Sequence, residues 1–168
     1  GHMDQPGWGS HVNFKDMTYP CDGPDEFIKG IRTQLKAGAD FIKTNLCVSS
    51  TYDLKKPYKQ EMSNEEIEAV AKITKMLNIK VASHTSGGSA ITKAVECGLH
   101  SVEHGHWLDN KTVDLMKKNN TFYVPTLLVN ERNFDFKENE KFKSSKNWKW
   151  LELSREAKWV SLKKAIKS

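Results

Sequence analysis

The sequence is poor in cysteine and has no long hydrophobic run, and each of these absences excludes a class of protein. The three cysteines, Cys21, Cys47 and Cys97, are an odd number and include no C-x-x-C pair. We therefore expect no disulfide framework, and a reducing, cytoplasmic location is the simpler interpretation. No segment approaches the ~18 consecutive apolar residues of a membrane span, so no membrane is expected as a partner.

The remaining composition is that of an ordinary globular domain. The chain has 168 residues, of which 38% are hydrophobic, 10% aromatic and 28% charged. This length corresponds to one domain on the usual scale of roughly 100–200 residues. A chain of about 150 residues buries roughly 70% of its surface on folding, which is enough for a hydrophobic core. Disorder, collagen and coiled coil are excluded for the chain as a whole.

The N-terminal residues Gly1-His2-Met3 look like the remnant of a cleaved tag joined to a start codon. We therefore exclude residues 1–3 from the prediction of the fold and expect one domain over residues 4–168. On this interpretation any signal peptide of the parent protein would be missing, so the sequence leaves secretion of the parent open.

The net charge of +5 comes entirely from the C-terminal segment. Residues 130–168 contain 11 Lys and Arg against 6 Asp and Glu, whereas residues 1–129 contain 15 of each. A solvated helix face explains such an excess, and we expect no nucleic acid as a partner. The alternative is a non-catalytic binding module, in which this basic, Trp-rich segment holds an acidic partner or a membrane surface.

Helices alternate with short apolar strands from residue 22 onward. Asp22 and Asp109 are candidate N-caps, and Ser63 to Glu66 reads as a capping box before a stripe of 3.6-residue period. The predicted strands are 39–45, 79–84, 99–104 and 121–125. Such alternation predicts an α/β fold in which about four parallel strands are joined by right-handed helical crossovers.

Three long segments complete the predicted organisation. Residues 5–21 and 46–62 read as loops, and loops of this length are usually functional or mobile. Residues 146–167 read as a terminal amphipathic helix. The residues that define its predicted apolar face are Trp150, Leu153, Ala157 and Val160.

Three polar residues stand at the carboxyl ends of successive predicted strands. They are Lys43, His84 and His104. In parallel α/β proteins this edge is where sites are built. A buried lysine must be paired or neutral, and a neutral amine can take up carbon dioxide to form a carbamate, which is an anionic metal ligand. With two neutral imidazoles this would form one side of a zinc-like site, although each residue alone has an ordinary structural explanation.

The same residues lie in segments that resemble the metal-dependent amidohydrolases. Residues 38–43 and 81–84 look like the family's fourth-strand and fifth-strand motifs. Residues 94–105 are similar to its sixth-strand signature, in which Glu-His-Gly ends the strand. Residues 108–109 and 123–127 follow in the family's order. The branch suggested is the imidazolonepropionase-like and prolidase-like (dipeptidase) group, and the resemblance covers most of residues 20–130.

This resemblance implies a fold and an activity for the parent protein. The family fold is the (β/α)8 barrel, of which this chain would be the central-to-late part, a partial TIM-type barrel. The implied reaction is metal-dependent hydrolysis of an amide bond in dipeptides, N-acyl amino acids or cyclic amides. Lys43 would be the carboxylated bridging lysine, and His84 and His104 would bind the second metal. The divalent metal implied is zinc, and carbon dioxide would be present as the lysine carbamate.

The sequence also departs from the family pattern. No His-x-His precedes Lys43, and no counterpart of the proton-shuttling aspartate follows. We therefore assign no catalytic residue, expect this chain to be a fragment that is inactive or nearly so alone, and treat His106, Gly87 and Gly88 as candidate substrate-binding residues. A half-barrel with an apolar inner face would also favour a homo-oligomer.

Overall fold

The computed structural model describes residues 2–4, 19–49, 54–133 and 143–168. Its strands are β1 (His2–Asp4), β2 (Tyr19–Pro20), β3 (Ile42–Asn45), β4 (Cys47–Ser49), β5 (Tyr58–Gln60), β6 (Val81–Gly87), β7 (Ser101–Trp107) and β8 (Phe122–Val124). Its helices are α1 (Pro24–Lys36), α2 (Asn64–Met76), α3 (Ser89–Glu96), α4 (Asn110–Lys118), α5 (Leu127–Asn133) and α6 (Lys146–Lys167).

Parallel strands alternate with helices, as predicted. Strands β3, β6, β7 and β8 are parallel neighbours in chain order, and each is followed by helical structure. The α/β class with four main parallel strands is thereby confirmed. Among the described helices, none has the length and hydrophobicity needed to cross a bilayer.

Two short strands extend the sheet beyond β3, and they correct the prediction at the N-terminus. His2 pairs with Lys43 and Met3 with Thr44, so β1 lies beside β3, and β2 pairs with β1. Residues 2 and 3 therefore have a place in the fold from which we had excluded them. Their origin as a tag remnant stays a prediction, and residues 5–18 of the predicted loop 5–21 lie outside the described residues.

The predicted loop 46–62 also contains structure. Strands β4 and β5 pair antiparallel, with Cys47 opposite Gln60 and Ser49 opposite Tyr58. The alternation of polar and apolar residues extends over only a few positions here, and residues such as Lys55, Lys56 and Pro57 are typical of a loop. In the structure the backbone N–H and C=O groups of β4 and β5 are satisfied by strand pairing, which the sequence pattern does not indicate.

The hydrophobic core lies between the sheet and helices α1 to α4. One buried cluster joins α1 and α2 to β3 and β6, and a second joins α3 and α4 to β7. Phe27, Ile31, Ile42 and Val81 belong to the first cluster and are at most 1% exposed. The predicted stripe of α2 is confirmed at Ile67 and Val70, which are fully buried.

The helix ends follow the predicted signals with one exception. Asp109 caps α4, and Ser63 with Glu66 forms the predicted capping box of α2. Gly23, and not Asp22, is the N-cap of α1, and no side chain caps this helix. Instead the carboxylate of Glu66, in the following helix α2, accepts the backbone N–H of Gly23 at 2.8 Å and so satisfies a donor at the start of α1.

Glu66→Ala should lower the free energy of unfolding by about 2 to 3 kcal/mol, because two charge-assisted hydrogen bonds are lost at once. The Glu66 carboxylate accepts the N–H groups of Ser63 at 2.7 Å and Gly23 at 2.8 Å, and the residue is buried. Urea unfolding measures the change, with Glu65→Ala at the exposed neighbouring position as control. Equal effects of the two substitutions, within about 0.5 kcal/mol, would contradict this account of Glu66.

Helix α6 is confirmed, but its buried face is not the predicted one. Trp150 is buried, whereas Leu153 and Val160 are 40% and 48% exposed. The other buried residues of this face are Ser154, Lys158 and Ser161. The reason is that α6 packs on the backbone that follows β7: the Ser161 hydroxyl accepts the N–H of Leu108 and donates to the carbonyl of His106. Apolar side chains could not satisfy these groups.

The inner face of the sheet, opposite the helix-covered core, is more polar than predicted. Because register partners in parallel strands share a face, the pairing puts one set of residues on it: Lys43, Asn45, Ala82, His84, Ser101, Glu103, Phe122 and Val124. Only Ala82, Phe122 and Val124 are apolar. The apolar inner patch on which we based self-association is therefore reduced to one edge, and a homo-oligomer stays a prediction.

Candidate active site

Lys43 and His84 come from neighbouring strands on the inner face of the sheet. Lys43 is paired in register with Ala82, and Asn45 with His84, so the two side chains follow one another along this face. The Lys43 side chain is 31% exposed, and its Nζ lies 4.0 Å from Oε2 of Glu103 on β7. The sequence required a partner for this lysine, and the structure identifies it as Glu103.

His104 reaches the same face by an exception to strand alternation. Its neighbour Glu103 points inward in register with His84, so a regular strand would turn His104 outward. The backbone of His104 instead has φ 70°, a left-handed conformation that is uncommon outside glycine. As a result the rings of His84 and His104 lie with centroids 4.5 Å apart in an edge-to-face arrangement.

Only glycine fits at position 105 of this turn, because neighbouring side chains leave no space for a Cβ atom. Its φ is 49°, and a Cβ there would lie 2.8 Å from the ring of Tyr123 and 3.1 Å from Val102. The Tyr123 hydroxyl donates to the carbonyls of His104 and Gly105. The Glu-His-Gly sequence therefore gives β7 one inward carboxylate, one redirected imidazole and a close backbone contact at Gly105.

The electrostatic environment keeps His104 neutral. Burial is the main cause that lowers the pKa of His104 to about 2, and charge repulsion from His84, His106, Lys158 and Lys43 contributes to this value. Neutral imidazole is the form that binds a metal ion.

Lys43, His84 and His104 thus lie together on one face of the sheet, while their role as metal ligands stays a prediction. Strands β6 and β7 continue to Gly87 and Trp107, so the predicted strand ends at residues 84 and 104 are wrong. Among the described residues, no group of three or more His, Cys, Asp or Glu side chains is arranged to hold a metal ion. Two imidazoles and a lysine fit one side of such a site, because their donors are neutral nitrogen and a carbamate-forming amine. Further ligands would have to come from elsewhere.

His106 extends the site towards helix α6. It is 6% exposed, and its ring is stacked at 6.2 Å from that of His104. The Trp150 ring contacts both His106 at 5.5 Å and Trp107 at 6.0 Å, and its indole N–H donates to the carbonyl of Pro57. Trp150 therefore joins α6 to the site.

This burial also removes support from the alternative binding module. Trp148 and Trp150 are buried, and the partly exposed Trp159 donates its indole N–H to Glu131. An aromatic platform on a basic helix needs exposed ring faces. The described part of α6 does not present Trp148 and Trp150 in that way.

Gly87 and Gly88, the other candidate substrate-binding residues, form the turn between β6 and α3. A Cβ on either glycine would lie within 2.7 Å of the Tyr58 ring, so their small size is explained by close packing of Tyr58. Gly88 also lines a cleft of about 510 Å³ together with His106. Its apolar walls include Tyr58, Trp107, Leu153, Ala157 and Val160.

Sequence reasoning missed Glu103, Thr126 and Lys158. Glu103 lay within the quoted motif, but without the register its carboxylate could not be placed beside Lys43. Thr126 and Lys158 are 22 and 54 residues from His104 along the chain, and only folding brings them to it. The sole available signal was the position of Thr126 immediately after Pro125 at the end of a strand.

Solved structures with a similar fold include a dipeptidase and an ochratoxinase. A crystal structure of a Xaa-Pro dipeptidase with methionine bound in its active site matches with a TM-score of 0.76 and 26% identity, over 96% of this chain and 41% of that one. The crystal structure of ochratoxinase from Aspergillus niger matches with a TM-score of 0.77 and 25% identity, over 89% of this chain and 34% of that one.

Sequence comparison agrees with the structures. Ochratoxinase of Aspergillus niger is 29% identical over 111 residues, which are 66% of this chain and 23% of that enzyme, so the chain spans less than half the length of these relatives. The sequence model of the amidohydrolase family matches residues 3–152, which include β3, β6 and β7 with their polar ends. The chain therefore belongs to the amidohydrolase family.

Proposed function

We propose that this chain supplies one side of a divalent-metal site, most simply zinc, for hydrolysis of an amide bond. The observation that carries the proposal is the neutral His104 ring in contact with His84, beside Lys43 on the same face of the sheet. His84 and His104 would donate imidazole nitrogen, and Lys43 would contribute a carbamate. The family of this chain is typically metal-dependent, which supports the assignment.

Carbamate formation would change the charge of the Lys43 site. The Lys43 ammonium group first loses one proton. The neutral amine then attacks carbon dioxide: an N–C bond forms, one C–O π bond becomes the carboxylate, and a second proton is released, so a cation becomes an anion. Glu103, 4.0 Å from Lys43 Nζ, favours the cation and would repel the carbamate. We therefore expect carbamate formation and metal binding to depend on each other, since a bound cation offsets the repulsion between two anions.

When bound, the metal would lower the pKa of a coordinated water and polarise the substrate carbonyl. This chain's residues would hold neutral nitrogen donors at fixed positions, with His106 and Gly88 at the adjoining cleft as contacts to the substrate. The substrate class we propose is an amide bond in a dipeptide, an N-acyl amino acid or a cyclic amide, and the similarity to a Xaa-Pro dipeptidase supports the first of these. Turnover requires further ligands and a proton shuttle, so we expect little activity from this chain alone.

Zinc titration of the purified chain, with and without bicarbonate, tests the proposal. His84→Ala and His104→Ala should each weaken zinc binding by about 100-fold, which corresponds to about 2.7 kcal/mol. Lys43→Met should abolish the effect of bicarbonate. His100→Ala is the matched control, because His100 precedes β7 at its far end and accepts the Val81 N–H through Nδ1.

Two results would count against this function. Zinc binding that is unaffected by His84→Ala and His104→Ala would show that the ion binds elsewhere. Absence of binding, together with salt-sensitive binding of heparin, would favour the non-catalytic module instead.

Rapid hydrolysis of dipeptides that is lost in His84→Ala would refute the separate expectation that turnover needs more ligands than this chain supplies.

A further inference from the structure

The hydroxyl of Thr126 has all of its hydrogen-bonding positions occupied. It donates to the carbonyl of Pro125 at 2.8 Å, its oxygen lies 2.6 Å from Nδ1 of His104, and Lys158 Nζ approaches the same oxygen at 3.5 Å. A hydroxyl has one proton to donate and two lone pairs. Lys158 donates and the Pro125 carbonyl can only accept, so all three contacts are hydrogen bonds at once only when Nδ1 of His104 donates its proton to the hydroxyl oxygen.

This assignment selects one of the two neutral forms of the His104 ring. If Nδ1 carries the proton, Nε2 is unprotonated and its lone pair is available. In the opposite tautomer the hydroxyl would have to donate to Nδ1 and would lose its hydrogen bond to the Pro125 carbonyl. The three contacts together therefore select the Nδ1–H form.

The backbone of Thr126 gives an independent observation. Its φ is 49°, in the left-handed region where a β-branched residue is a genuine outlier. Such strain persists only where surrounding structure imposes it, and it is concentrated at functional sites. Asparagine or glycine would fit this backbone with less strain, but glycine would not offer the hydroxyl that bonds His104.

We propose that Thr126 is a positioning residue, which holds His104 in the Nδ1–H tautomer and so presents Nε2 as its ligand atom. The tautomer is a property of the metal-free chain, and only its use in metal binding rests on the proposed function. Ligand histidines are commonly oriented through their second nitrogen by an outer partner. Here that partner is a hydroxyl from the turn between β8 and α5.

The tautomer can be read directly by long-range ¹H–¹⁵N NMR of the ¹⁵N-labelled, metal-free chain at pH 7. The wild type should show a protonated Nδ1 and an unprotonated Nε2 for His104. Thr126→Val, which keeps the shape and removes the hydroxyl, should shift the ring towards the Nε2–H form. Thr126→Ser should restore the wild-type pattern. Thr121→Val is the control, because its hydroxyl contacts the Leu99 carbonyl and not His104.

Thr126→Gly guards against a folding defect in Thr126→Val. Glycine accepts a φ of 49° without strain, so this variant should fold and still lose the Nδ1–H preference. Zinc affinity gives a second readout: Thr126→Val and Thr126→Gly should weaken zinc binding by about 10- to 100-fold, and Thr126→Ser by no more than about 3-fold.

The outcomes separate this inference from the proposed function. An unchanged Nδ1–H tautomer in both Thr126→Val and Thr126→Gly would overturn the inference, even if zinc binds as expected. A tautomer that changes as expected in a chain that does not bind zinc would support the inference and refute the proposed function. A wild-type ring already in the Nε2–H form would overturn the inference outright.

Discussion

The metal-free chain is expected to lose stability steadily as the pH falls below about 6.5. In the folded chain, burial and the charges of His84, His106, Lys158 and Lys43 lower the pKa of His104 to about 2, from an ordinary value of 6.5. Between these two values the unfolded chain binds a proton that the folded chain does not. Protons therefore favour unfolding, and the loss is about 1.4 kcal/mol per pH unit, or about 2 kcal/mol between pH 7 and pH 5.

Urea unfolding in the presence of a chelator, repeated across this pH range, measures the slope. His104→Asn is the matched variant, because asparagine tolerates the left-handed backbone at this position and does not titrate. Its stability should change much less between pH 7 and pH 5. Parallel curves for the wild type and His104→Asn would show that His104 is not a buried neutral imidazole. Saturating zinc should steepen the wild-type dependence, because protons then also compete with the metal.

Lys158→Met is expected to stabilise the chain by about 2 to 3 kcal/mol at pH 7. Lys158 is 1% exposed, and burial lowers its pKa from 10.5 to about 8, against the opposing attraction of Glu131. At pH 7 the folded chain therefore holds a desolvated ammonium group, and this cost is fully present below pH 8 and disappears as the pH rises towards 10.5. Methionine keeps the length and apolar contacts of the side chain without the charge.

The comparison should be made at two pH values and against one control. The stabilisation by Lys158→Met should shrink at pH 10, because the wild-type lysine is then largely neutral. Lys163→Met, at an exposed position of the same helix, should change the free energy of unfolding by less than about 0.5 kcal/mol. Destabilisation by Lys158→Met at pH 7 would mean that the interactions of the ammonium group outweigh its desolvation.

Local chemistry made much of this molecule predictable. The capping box at Ser63 is a contact within one turn, and the chain turns at Gly38, Asn78, Gly98 and Asn120 through positive φ, which the residue types already favour. The four main strands follow from their apolar runs between such signals. The placement of Lys43 and His84 on neighbouring parallel strands also followed from the sequence.

What the sequence could not provide depends on contacts between distant segments. The Glu103 carboxylate becomes the partner of Lys43 only through the register of three strands. Helix α6 buries Ser161 and leaves Leu153 partly exposed, because it meets unsatisfied backbone groups of the segment after β7 and not an apolar surface. An amphipathic pattern reports hydrophobicity, and it cannot report the polar groups that a neighbour presents.

By itself the sequence determined the family, the alternation of strands and helices, and the neighbouring strands that carry the polar residues, since each of these depends on residue type and short spacing. The tertiary structure alone decided the chemistry at that site. It turned His104 inward through a left-handed backbone, placed its ring against His84 and bonded it to Thr126, 22 residues further along the chain. The protonation state and the tautomer of His104 depend on these neighbouring groups, which only folding brings together.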